Sequence, residues 1–79
     1  MKRDEIKNLV IDAIAGAAEV DKAEIVEDAS IMDDLSLSSM EIMIVMSELE
    51  TKCSMTFGAD SKTCVTVGDM IDYIESKQQ

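Results

Sequence analysis

One segment of the chain, residues 33–50, joins a serine-rich turn to a strongly apolar helix and restricts the possible folds and functions. Its sequence is DDLSLSSMEIMIVMSELE. Ser38 is followed three residues later by Glu41, which is the spacing of a capping box at a helix N-terminus. With Ser38 as the N-cap, Ser39 is the first helical residue, and its hydroxyl lies beside backbone N–H groups that lack a partner inside the helix. Such a position favours an attached phosphate, so Ser39 is the best candidate for covalent chemistry in a chain without histidine.

The apolar residues recur at helical spacing in three parts of the chain. This pattern predicts helices over residues 3–18, 39–53 and 66–77, the last with Thr66 and Asp69 as an approximate capping pair. A short turn is expected near residues 59–64. The long loop over residues 19–38 shows no clean period, and we expect it to be anchored on the core by Val20, Ile25, Ile31 and Leu35. The predicted fold is all-α: a single domain, residues 1–79, forming a small up-and-down bundle of three longer helices plus one short helix, without strand pairing.

The second predicted helix carries two apolar sets on different sides. One set has the spacing of a buried face: Ile42, Val45, Met46, Leu49 and Cys53. The other set, Met40, Met43 and Ile44, begins beside Ser39 and does not fit that face. It is either an exposed binding patch or part of a central helix that is packed all round.

The charge excludes several classes of partner. The net charge is −10 at pH 7, from 17 acidic and seven basic residues. Nucleic acids and anionic membranes are therefore unsuitable partners, whereas proteins with basic patches are favoured. We see neither a signal peptide nor a transmembrane segment and expect a cytoplasmic protein. Cys53 and Cys64 are expected to be reduced and structural, and no metal site is predicted.

Three segments together resemble the acyl carrier protein family over nearly the whole chain. The run DDLSLSSME at residues 33–41 resembles the family's acidic lead-in and D-S-L triplet. The ASI of residues 29–31 resembles the family's N-A-S-F, and VTVGDMIDYI at residues 65–74 resembles its T-V-x-x-x-I-D-Y-I helix.

This resemblance implies a non-catalytic carrier. It implies that 4′-phosphopantetheine, taken from coenzyme A by a phosphopantetheinyl transferase, is attached to Ser39. Its thiol would hold acyl intermediates as thioesters for acyl-transferring and condensing enzymes of fatty-acid, polyketide or specialised lipid biosynthesis. We expect a monomer that meets enzymes with basic patches. The predicted partner-binding residues are Met40, Glu41, Met43, Ile44, Glu48 and Glu50.

The chain departs from the family pattern around the serine. Ser38 stands in place of the family's Asp, Met40 in place of Leu, and Ser36 in place of the lead-in Gly. Ile44 and Thr51 stand where family members usually have acidic residues. The recognition face is therefore more apolar than usual, which points to a dedicated set of partner enzymes.

Several alternatives compete with these interpretations. Residues 58–61, GADS, also resemble the family's G-A-D-S. However, the next residue is the charged Lys62, and no apolar helix like the second predicted helix follows it. Ser38 neighbours Ser39 but occupies the Asp position. A different class of protein, a small acidic helical adaptor that binds a basic protein and carries no prosthetic group, would use Ser39 only as part of a helix start. A methionine-rich core could sequester acyl chains or simply fill space; its residues are Met46, Met70, Val45, Leu49 and Ile71.

Overall fold

Three α-helices account for most of the described structure. The computed structural model describes residues 2–58 and 64–78. Within them the chain forms α1 (Arg3–Ala18), α2 (Ser39–Cys53) and α3 (Val67–Lys77), with a short 3-10 helix at Lys22–Glu24. The bounds of α1 and α2 are those that the apolar spacing predicts. The all-α prediction is confirmed.

The ends of the shorter elements refine the prediction. Helix α3 begins one residue later than expected because Thr66 is its N-cap, and the Thr66 hydroxyl accepts a hydrogen bond from the Asp69 N–H at 3.1 Å. The 3-10 helix was not predicted from the sequence. The short turn expected near residues 59–64 lies outside the described residues except for Cys64, and the alternative serine Ser61 lies outside them too.

The core is aliphatic and is centred on α1, which packs against both α2 and α3. Helix α1 contributes Ile6, Val10 and Ile14, which are fully buried. Of the expected loop anchors, three are buried and Val20 is half-buried. The loop also buries Leu37 just before α2. The residues that α2, α3 and the loop bury against α1 are Val45, Leu49, Cys53, Val67, Met70, Ile71, Ile74, Ile25, Ala29, Ile31, Leu35 and Leu37.

The loop over residues 19–38 is attached to the segment that precedes α3. Ile31 N–H donates to the Val65 carbonyl at 2.9 Å. Ser30 and Thr66 form an isolated antiparallel β-bridge. The sequence analysis expected no strand pairing, and this single bridge is the small exception. It holds the loop against the start of α3.

A second attachment is ionic and centres on Arg3. Its guanidinium lies 2.7 Å from the Glu27 carboxylate, 2.6 Å from Asp72 and 3.3 Å from Glu75. The hydrogen bond from Arg3 holds the pKa of the Glu27 carboxyl below its usual range. The Glu27 carbonyl also accepts a hydrogen bond from the Gly68 N–H at 2.9 Å. Arg3 therefore joins the start of α1, the loop and the last turns of α3.

Candidate functional site

The start of α2 has the capping geometry that the sequence predicts. The Ser38 hydroxyl accepts a hydrogen bond from the Glu41 N–H at 3.2 Å, and the Ser38 N–H donates to the Glu41 carboxylate at 2.8 Å. Ser39 is the first residue of the helix, and it is exposed. Backbone N–H groups in the first turn of a helix have no partner inside it, and the positive end of the helix dipole lies there. The Ser39 hydroxyl is thus accessible at a helix start that favours a negative charge.

The residues before the cap form a tight loop that fixes the direction of this helix start. The Ser30 N–H donates to the Asp34 carboxylate at 2.7 Å, and the Leu37 N–H donates to the Ile31 carbonyl at 3.1 Å. Ser36 has a φ of 56°, in the left-handed region that favours glycine. The resemblance described above places a lead-in glycine at this position, so Ser36 falls where a side chain is least suited to the backbone.

The second apolar set of α2 is exposed. Met40 is 72% exposed, Met43 70% and Ile44 53%. At 3.6 residues per turn these side chains share one side of the helix with Ser47, and together with Ser38 and Ser39 they line a shallow apolar concavity. Of the two alternatives, the exposed patch therefore describes this helix, and packing on all sides does not. We call this surface, Met40, Met43, Ile44 and Ser47, the outer face of α2.

The three glutamates expected to take part in partner binding all have partners inside the molecule. Glu41 belongs to the capping box. Glu48 lies 3.6 Å from the Lys52 ammonium, and the Glu50 carboxylate accepts a hydrogen bond from the Phe57 N–H at 2.8 Å. The sequence analysis predicted the Glu41 contact but missed the Glu50 contact, because the latter depends on how the chain turns after α2. It also missed Ser47 as part of the concavity.

A cavity lies on the other side of the α2 start. Its volume is about 230 Å³, and its walls come from the loop, α2, the segment before α3 and α3 itself. Two residues expected in the buried face of α2, Ile42 and Met46, are half-buried because they face this cavity. Met70 of α3 completes the apolar lining, whereas Val45 and Leu49 are fully buried beside α1. The cavity is lined by Ser30, Ile31, Met32, Asp33, Ile42, Met46, Cys64, Val65 and Met70.

Other chemistries receive little support from the described residues. Cys53 is buried, and its burial raises the pKa of the thiol, so Cys53 is a poor nucleophile near neutral pH. In residues 2–58 and 64–78, no group of three His, Cys, Asp or Glu side chains is placed to hold a metal ion. The helices in this part of the chain are too short or too polar to cross a membrane.

Comparison with known proteins defines the class. A family model described as the phosphopantetheine attachment site matches residues 8–74. The chain is 36% identical to an acyl carrier protein of an Exiguobacterium species, covering 98% of this chain and 99% of that one. It is 36% identical to an acyl carrier protein of Lactobacillus acidophilus, with 99% of each chain covered. A solved structure of the Enterococcus faecalis acyl carrier protein matches with a TM-score of 0.81 at 28% identity, covering 98% of this chain and 99% of that one.

The fold and the family model together define a phosphopantetheine-binding carrier domain. The chain belongs to the acyl carrier protein family. It is a non-catalytic carrier of acyl groups that uses 4′-phosphopantetheine, in the general role that acyl carrier proteins have in fatty acid biosynthesis. The competing interpretation, an adaptor without a prosthetic group, does not agree with this membership.

Proposed function

We propose that the Ser39 hydroxyl is the point at which 4′-phosphopantetheine is attached. The observation that carries the proposal is the exposure of Ser39 at the first position of a capped helix. A phosphodiester there lies at the positive end of the helix dipole, near N–H groups that can donate to its oxygens. Of the two serines at this helix start, Ser38 is engaged in the cap, which favours Ser39 as the modified residue.

In the proposed modification, the Ser39 oxygen attacks the phosphorus atom of coenzyme A that bears the pantetheine. A bond forms between this oxygen and the phosphorus, and the phosphoanhydride bond breaks. Adenosine 3′,5′-bisphosphate leaves, and the hydroxyl proton passes to a base of the transferase. The carrier supplies the nucleophile, its orientation and the helix start. When bound, the prosthetic group supplies a thiol that holds acyl groups as thioesters.

The proposed partners are a phosphopantetheinyl transferase and acyl-transferring and condensing enzymes with basic patches. The net charge of −10 favours these partners and disfavours self-association, nucleic acid and anionic membranes. We infer a monomer that acts in the cytoplasm, where cysteine thiols stay reduced.

The cavity beside α2 supports a proposal for where the carried chain lies. Ile42, which lines it, is one helical turn from Ser39, so an attached acyl chain can reach the cavity from that side. A cavity of ~150 Å³ lined by aliphatic and aromatic residues holds benzene, so 230 Å³ gives room for roughly nine carbons. We propose that chains of about this size are sheltered there, with Met46 and Met70 as part of the lining.

Intact-mass measurement tests the attachment site. The purified protein is incubated with coenzyme A and a phosphopantetheinyl transferase, and we expect a gain of one phosphopantetheine. Ser39→Ala should abolish the gain, whereas Ser38→Ala should still be modified. Modification of the Ser39→Ala variant would refute the assignment. Circular dichroism of each variant controls for the loss of helix.

A further inference from the structure

Three methionine side chains in the described part of the chain lie mostly in solvent. Met40 is 72% exposed, Met43 70% and Met32 57%. Met70 is only 1% exposed, and Met46 is half-buried. A peroxide must reach the sulfur atom to oxidise a thioether, so these exposures predict which methionines react first.

The cysteine thiols are less accessible to an oxidant than these methionines. Cys53 is buried, and its burial raises the pKa of the thiol, so little of the reactive thiolate is present near neutral pH. The Cys64 thiol is partly buried and donates to the Asp69 carbonyl, with 3.7 Å between sulfur and oxygen. Among the described residues, the sulfur atoms most open to oxidation are therefore thioethers.

Two of the three exposed methionines lie beside the proposed attachment residue. Met40 and Met43 line the same shallow concavity as Ser39. Met40 follows Ser39 directly, and Met43 lies about one helical turn further along α2. Met32 instead lines the cavity on the other side of the α2 start. Oxidation of Met40 and Met43 therefore changes the surroundings of Ser39, whereas oxidation of Met32 leaves them unchanged.

We propose that Met40 and Met43 are sites of reversible oxidation to methionine sulfoxide by a peroxide, and that their sulfoxides slow the attachment of the prosthetic group. This inference rests on the proposed attachment at Ser39. The thioether sulfur donates an electron pair to one oxygen of hydrogen peroxide, so that a sulfur–oxygen bond forms and the oxygen–oxygen bond breaks. The second oxygen leaves as hydroxide and takes up the remaining proton to become water. The sulfur is oxidised by two electrons, and the peroxide is reduced.

The reaction replaces apolar surface next to Ser39 with polar groups. A sulfoxide oxygen accepts hydrogen bonds from water, and covering it without a substitute donor costs free energy. An enzyme that closes over the Ser39 hydroxyl must cover the neighbouring concavity as well. The two sulfoxides therefore oppose the closed complex. Methionine sulfoxide reductases reverse the change, since a dithiol is oxidised to a disulfide and the sulfoxide oxygen leaves as water.

Peptide mass mapping after timed exposure to hydrogen peroxide tests the site of oxidation. We expect Met40 and Met43 each to gain one oxygen at least about tenfold faster than Met70, because only the former are open to solvent. The Ser39→Ala variant should give the same order, because oxidation does not require the attachment. Oxidation of Met70 at the same rate as Met40 and Met43 would overturn the proposal.

The effect on attachment is measured as kcat/KM for the carrier with coenzyme A and a phosphopantetheinyl transferase. Catalase first removes the peroxide, dithiothreitol reduces the thiols, and each protein is compared with its own untreated form. Oxidised wild type should lose about fivefold or more. The double variant Met40→Leu/Met43→Leu should lose less than about twofold, because leucine has no sulfur to oxidise. Met32→Leu is the matched control and should lose as much as the wild type.

Reductase treatment should restore both the mass and the rate of the wild type. An equal loss in the double variant, or a loss that persists after the mass has returned, would overturn the proposal. Far-UV circular dichroism of the oxidised protein should be unchanged; a loss of helix would attribute the slower reaction to unfolding and would also overturn it. Loading of Ser39→Ala would refute the attachment site and leave the oxidation map intact. Loading confined to Ser39 at an unchanged rate after oxidation would leave the attachment standing and refute the present inference.

Discussion

Two helical glycines, Gly16 in α1 and Gly68 in α3, should respond in opposite ways to the same substitution. Gly16 is exposed, and a Cβ atom added there would have no neighbour within 4 Å. Its φ is not positive, so alanine fits the existing backbone. Replacing glycine by alanine in a helix removes unfolded-state freedom and stabilises by roughly 0.5–1 kcal/mol. Gly16 lies near the end of α1, which favours the lower half of that range.

Gly68 lies in the first turn of α3 and has no room for the added atom. A Cβ atom there would lie 3.1 Å from the Glu27 carbonyl oxygen. The same close approach allows the Gly68 N–H to donate to that oxygen at 2.9 Å. Because the obstructing atom belongs to the backbone of a loop that Arg3 and the Ser30 bridge hold in place, it cannot move aside as a flexible side chain would. We expect Gly68→Ala to lose the propensity gain and to be neutral or destabilising.

Urea unfolding followed by far-UV circular dichroism measures both effects. Gly16→Ala should raise the midpoint at an unchanged m value, and a gain of ~0.5 kcal/mol corresponds to about 2–4 °C in melting temperature for a domain of this size. The difference between the two variants is the informative quantity. If Gly68→Ala stabilised as much as Gly16→Ala, the loop would not be fixed against α3, and the reasoning would be refuted. If Gly16→Ala did not raise the free energy of unfolding, this result would contradict the position of Gly16 inside helix α1.

Three further predictions concern the backbone, pH and the acyl chain. Ser36→Gly should raise the free energy of unfolding by about 1 kcal/mol, because the left-handed backbone costs a non-glycine residue roughly that much; no gain in urea unfolding would count against the observed φ of 56°. Hydrogen bonds from the Val65 and Thr66 N–H groups lower the pKa of Asp69 below its ordinary value of 3.8, so its stabilising effect is present above that pH and is lost as the pH falls through the lower folded value. The free energies of unfolding of the wild type and of Asp69→Asn should therefore differ above pH 4 and converge at lower pH. A difference that stays constant as the pH falls would contradict this role of Asp69. Acyl forms should melt at increasing temperatures up to roughly nine carbons and then level off, since each sheltered methylene stabilises by about 0.8 kcal/mol, whereas equal melting temperatures would exclude sequestration.

The local signals in the sequence were sufficient to predict the three α-helices. The Ser38 and Glu41 pair and the Thr66 and Asp69 pair mark helix starts, because their hydrogen bonds span only three residues. The apolar period sets the buried face and leaves the outer face exposed, which the structure confirms. Ser36 could also have been expected to strain the backbone, because it replaces a glycine.

Contacts between residues that are far apart in the sequence could not be predicted from these local signals. The Arg3 cluster joins residues up to 72 positions apart, and the β-bridge joins Ser30 to Thr66. Glu50 reads as a free surface acid until the turn after α2 brings the Phe57 N–H to it. A sequence pattern records which residues are acidic or apolar, but not which of them are paired across a turn. The sequence therefore assigned these acids to a partner surface without showing that Glu50 also has a contact inside the protein.

The proposed functions of the two sides of α2 impose different requirements on the same protein. The outer face, as the proposed partner surface, has to present one fixed shape, and α2 packs closely on α1. The proposed chain site on the cavity side has to admit chains of different length, so part of its lining has to move. That lining includes Met32, which is 57% exposed, and Met46, which is half-buried. Methionine side chains are flexible and adapt to irregular spaces. Adaptation to the carried chain can thus occur through these side chains, while the loop backbone, Ser39 and the outer face of α2 keep their positions.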